Sequence, residues 1–202
     1  MLTRSAPAVP SCARCLVADR AGLADAPGLT RLLALTLTVL LALLAACSPS
    51  LDWRQVRPEG WGLVAAWPCR PSTQVRHVTL AGSAVAMSLM VCSAGPHSFA
   101  IASADMADPA RVGPALAALG EAARINVQGV VESERAAAVT GMTPQPAARW
   151  WQLRGQLADG QPVREQVLVF AHGMRVFQAT LVGPVAAESL GKTFFDAIEL
   201  PP

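Results

Sequence analysis

Alternation with a period of two dominates the middle and the end of the chain. Over residues 83–92, Val85, Met87, Leu89 and Val91 fall on one face, and Ala84, Ala86, Ser88, Met90 and Cys92 on the other. Alternation sustained over this length predicts a strand. Its second face is small and partly apolar, so that face is expected to be covered too. Residues 73–80 and 98–103 read as flanking strands across Ala81-Gly82 and Gly95-Pro96 turns, which predicts an antiparallel meander. Upstream, 52–56 and 62–67 are shorter candidates, parted by Pro58-Glu59-Gly60. Downstream, 149–157 and 163–171 flank Asp159-Gly160, a favoured hairpin turn. His172-Gly173 then turns the chain into a further strand over 174–182.

Helical spacing occurs twice. Asp108-Pro109 supplies a side-chain cap and a proline suited to the first helical position. Val112, Leu116, Leu119 and Ala123 then recur through about Ile125. Pro114 interrupts the pattern and makes Gly113 an alternative start for regular helix. Ala187, Leu190, Phe194 and Ile198 form the apolar stripe of a closing helix over 185–200. Residues 130–147 show no clear period and read as a short strand followed by an irregular loop. Strands followed by a helix, twice over, predict an α+β fold, a central antiparallel sheet with helices packed on it.

A different pattern fills 32–46: fifteen residues, apolar except for Thr36 and Thr38, preceded by Arg31 and closed by Ala45-Ala46. A spanning helix needs about 20 such residues, so the run fits the core of a signal peptide better. Leu44-Ala45-Ala46-Cys47 resembles the lipobox of bacterial lipoproteins. The resemblance implies cleavage before Cys47, a lipid on its thiol and acylation of the new amine. Each buried CH₂ contributes roughly 0.8 kcal/mol, and two or more chains anchor a protein stably where one does not. Ser48 stands where an aspartate would mark inner-membrane retention, which leans toward the outer membrane. The expected organisation is a removed leader over 1–46, a lipidated tether over 47–50 and a single domain over 51–202. The lead-in before the apolar run is long, and a start at the codon of Leu23 or Leu29 would shorten it.

Residues carried by several of these elements also resemble a family. Trp67-Pro68-Cys69-Arg70-Pro71, the helix after Ala107-Asp108-Pro109, the turn Phe170-Ala171-His172-Gly173 leading into Val176-Phe177-Gln178-Ala179, and Phe194-Phe195 together resemble PsbP-like domains and DcrB-like bacterial lipoproteins. The resemblance implies an α-β-α sandwich over most of 51–200. It implies little about function, because function resides in sites rather than folds.

Charge sharpens the picture. The formal excess of +2 lies wholly in Arg4, Arg14, Arg20 and Arg31 against Asp19 and Asp25. Residues 47–202 are therefore neutral and give no electrostatic case for nucleic acid or anionic lipid as partner. Cys12 and Cys15 form a C-x-x-C, but within the removed leader. With Cys47 taking lipid, Cys69 and Cys92 remain, an even pair in an exported domain, and are expected to bond. Such a loop contributes roughly 3 kcal/mol in the chain-entropy model. The alternative is two free buried thiols.

Candidate chemistry is sparse. His77, His97 and His172 lack metal-ligand spacing and read as surface or turn residues. No nucleophile elbow or phosphate-cradling motif occurs. Glu132 and Glu134 would share one strand face, as an acid and base pair or, more simply, a solvated cluster. Trp53 and Trp61 are expected to cover one end of the core. Trp150 and Trp151 must point to opposite faces of a strand. One can enter the core while the other is covered by a second helix or forms a ligand or partner surface. The expectation is a non-enzymatic envelope lipoprotein, a binding or assembly accessory facing the periplasm, with no cofactor. Its expected partners are the membrane, through the lipid, and an envelope protein. The alternatives are a small-molecule or peptide binder using a tryptophan-lined pocket, and an enzyme with an unrecognised site.

Overall fold

A computed structural model describes residues 51–201. The leader, Cys12, Cys15, the lipobox with Cys47, and the tether lie outside the described residues. Two short strands, β1 (Arg54–Val56) and β2 (Ala65–Trp67), pair antiparallel. The meander follows as β3 (Ser72–Leu80), β4 (Ser83–Ala94) and β5 (His97–Asp105). Ala81 and Gly82 both have positive φ at the tight β3–β4 turn. Helix α1 (Pro109–Asn126) starts at Pro109, where the Asp108 Oδ1 accepts from the Ala110 N–H at 2.9 Å. Pro114 lies inside the helix rather than delaying its start. Strand β6 (Val130–Ala136) comes next, then β7 (Arg149–Gln156), β8 (Pro162–His172), β9 (Arg175–Gly183) and helix α2 (Glu188–Asp196).

Seven of these strands form one antiparallel sheet in the order β3-β4-β5-β9-β8-β7-β6. The expected α+β class, an α-β-α sandwich, is therefore corrected. Strand dominates the described residues, with two helices among them, and the fold is mainly β. Two stretches account for the difference. The closing helix spans only Glu188–Asp196, because the 185–187 approach and the 197–201 tail are not helical. Residues 130–136 form a full edge strand although all seven are exposed. Pairing to β7 defines that strand rather than any apolar face, so hydrophobic periodicity could not reveal it.

Each face of the sheet has its own cover. On one, α1 packs over β8 and β9 with Val112, Leu116, Leu119 and Ala123 buried. Gly120 permits the approach: a Cβ there would come within 2.0 Å of the Trp151 ring. The opposite face carries an aromatic cluster, as expected of Trp53 and Trp61. Phe194 of α2 meets Trp67 at 5.6 Å and Phe99 at 5.2 Å between centroids. Trp53 meets Phe99 edge-on, and Trp61 lies against Phe177, itself stacked on Phe170 at 5.0 Å. Such pairs add roughly 0.5–1.5 kcal/mol each beyond burial. Cys69 and Cys92 stand at disulfide distance with Cα atoms 6.0 Å apart, tying the segment before β3 to β4.

Candidate functional site

Register assigns the two tryptophans. Trp150 pairs with Leu168 and Trp151 with Val167, so their side chains leave β7 on opposite faces. Trp151 goes under α1 against Gly120. Trp150 goes to the α2 side, where it is half-buried and lines a cleft of about 360 Å³ between α2 and the β6–β8 end of the sheet. Of the two residues, only Trp150 lines this cleft.

The cleft is built from alternate positions of three adjacent strands and one helix face. Arg135 of β6 lies over the Trp150 ring, its guanidinium carbon 4.3 Å from the centroid, within cation–π range. Gln152 of β7 and Gln166 of β8 contribute amides. The Gln152 Oε1 accepts from the Ser133 hydroxyl at 3.0 Å. Gln166 is buried and its amide N–H₂ donates to the Ala187 carbonyl at 3.5 Å. Gly191 admits this amide against the helix, since a Cβ there would stand 2.3 Å from the Gln166 Oε1. Across the cleft, α2 presents Glu188, Lys192 and Asp196, with Lys192 and Asp196 paired one helical turn apart. Trp150 Nε1 is buried and without a partner.

A smaller hollow of about 220 Å³ adjoins the first, sharing Gln152, Gln166 and Glu188. At its rim Glu132 accepts from Arg154 at 2.9 Å and from Arg164. The Arg164 hydrogen bond is the largest influence holding the Glu132 carboxyl below the usual carboxylate range. Arg154 and Arg164 are cross-strand partners, so Glu132 bridges two like charges that would otherwise face each other.

The expected pairing of Glu132 and Glu134 is not realised. A register shift between Val131 and Ser133 inserts one residue into β6 and breaks the period-two parity. Glu134 consequently meets Arg149 at 3.0 Å, an odd-numbered neighbour on the α1 face, while Glu132 meets the even-numbered Arg154. The histidines also stay apart. His77 is exposed on β3, and His97 packs against Gly183, where a Cβ would touch its ring. The His172 Nδ1 lies 2.8 Å from the Gly141 carbonyl oxygen, and positive φ in that turn falls on Gly173, not on His172. Among the described residues no group of three His, Cys, Asp or Glu is placed to hold a metal ion, and no helix is long and apolar enough to cross a membrane.

Sequence reasoning missed Glu165. It pairs with Leu153 and Val182, on the α1 face between Val163 and Val167 of its own strand. The hollow touches this residue, but its side chain leaves β8 opposite to Gln166. Its Oε2 is buried without a partner, and burial pushes the carboxyl up to about 8. Perturbed carboxyls often mark active sites, yet this one is packed among aliphatic neighbours on the face away from the cleft. Parity along 163–171, which sets Glu165 in step with Val163, Val167 and Val169, carried the signal.

No family model matches the chain, and no curated protein matches it.

Proposed function

We propose that this protein is a lipid-anchored binding accessory of the bacterial envelope, non-enzymatic, that holds a small polar ligand in the cleft beside Trp150. The observation that carries the reading is the divergence of the tryptophan pair. Trp151 is consumed by packing on α1, whereas Trp150 lines an open cleft with two glutamine amides and charged groups. A concave site with an aromatic wall and a few convergent polar groups is the usual form of a small-molecule site. The non-enzymatic reading is supported by where the perturbed carboxyl sits, on the opposite face of the sheet. The anchor reading rests on Leu44-Ala45-Ala46-Cys47 and the apolar run before it.

Native mass spectrometry of the protein extracted from envelopes in mild detergent tests the binding role. A discrete small-molecule adduct on the wild type, absent from a folded Trp150→Ala variant, is expected. An adduct retained by that variant, or a wild type that never carries one, would count against the site. Labelled palmitate incorporated by the wild type but not by Cys47→Ala tests the anchor. Continued incorporation by the variant would overturn it.

A further inference from the structure

We propose that the cleft recognises a zwitterion, an amino acid or short peptide, with the ligand carboxylate on Arg135 and its ammonium on Glu188; this rests on the cleft being the binding site. The assignment comes from which charges remain uncommitted once the neighbouring pairs are formed. Lys192 is held by Asp196. Glu134 takes Arg149, and Glu132 takes Arg154 and Arg164. Arg135 has no carboxylate within ion-pair distance among the described residues, and it is stacked on Trp150. Stacking fixes the plane of a guanidinium and leaves its N–H edge free, the arrangement suited to bidentate binding of a carboxylate. On the opposite wall Glu188 opens α2, exposed and without a cationic partner among the described residues.

The wall thus offers one free cation and one free anion, in a cleft whose four charged lining residues sum to zero. A net anion or net cation would leave one of the two groups facing like charge. A neutral ligand bearing both charges satisfies both. The Gln152 oxygen is engaged by Ser133, which leaves its amide N–H₂ for a peptide carbonyl. The cleft volume of about 360 Å³ falls at the lower end of ligand pockets, a size suited to one or two residues rather than a protein segment.

Isothermal titration of the full chain in detergent with alanyl-phenylalanine, its N-acetyl derivative and its C-terminal amide tests the assignment. The free dipeptide is expected to bind at least tenfold more tightly than either blocked form. Arg135→Gln should abolish the distinction between free dipeptide and amide, and Glu188→Gln that between free and acetylated. Both substituted positions are exposed, so each variant should stay folded, its thermal unfolding lowered only by the loss of the Trp150 stack or of the carboxylate in the first turn of α2. Equal binding of blocked and free forms would overturn the proposal, as would variants that discriminate like the wild type. A penalty from amidation alone would reduce the site to a simple anion site and also overturn it. Absence of dipeptide binding with a Trp150-dependent envelope adduct retained would overturn the zwitterion while sparing the binding role.

Discussion

Glu165→Gln isolates the energetic cost of the buried carboxyl. In the fold its pKa rises from an ordinary 4.5 to about 8 because burial disfavours the charged form. The folded state therefore binds more protons than the unfolded chain between those values, and stability falls as pH rises through that window. A shift of this size corresponds to about 5 kcal/mol in all, at 1.36 kcal/mol per unit, of which about 3 kcal/mol is already expressed at pH 7. The glutamine keeps the shape and never ionises. Urea denaturation of both proteins at pH 5, 7 and 9 reads the effect as a difference, so titration of the three histidines cancels. The variant should gain about 4 kcal/mol on the wild type between pH 5 and pH 9. A difference that stays below about 1 kcal/mol across the range would refute the placement of a desolvated carboxyl on the α1 face.

Three further outcomes follow from packing. Gly120→Ala should lower stability by about 1–2 kcal/mol in chemical denaturation, since overpacking against Trp151 outweighs a helix-propensity gain of at most about 1 kcal/mol. Pairing it with Trp151→Leu should recover part of that loss, and simple additivity would contradict the contact. Phe194→Ala should cost about 3–5 kcal/mol, read as a fall in the denaturation midpoint, because a fully buried ring is lost from between Trp67 and Phe99. Replacing Cys69 and Cys92 together with alanine should cost roughly 3 kcal/mol and remove the gel-mobility shift on reduction; an unshifted wild type would contradict the bond.

The strands were legible where one face is apolar and the other small or polar. The alternation of 83–92 and the Asp159-Gly160 and His172-Gly173 turns foretold β4, β8 and β9. The helix cap at Asp108 was legible for the same local reason. The balance of the fold was not. Strand β6 has no apolar face to read, and its inserted residue redirects Glu132 away from Glu134. The stripe Ala187, Leu190, Phe194 and Ile198 spans more residues than the helix beneath it, because Ile198 reaches the core from the non-helical tail. For the candidate site, the strand period separated Trp150 from Trp151, but which of them would be covered depended on a glycine more than thirty residues away at position 120. Arg135 and Glu188 carry no local signal at all. They come to line one cleft only through the packing of α2 against the sheet.

The role assigned to Trp150 meets its most direct test in ¹⁹F NMR of the full chain labelled with 5-fluorotryptophan, with resonances assigned by Trp150→Phe and Trp151→Phe. On titration with a small-molecule extract of the periplasm, the Trp150 resonance should shift and that of Trp151, packed under α1 on the other face, should stay in place. Movement of Trp151 with Trp150 unmoved, or no shift at Trp150 at any extract concentration, would contradict the account.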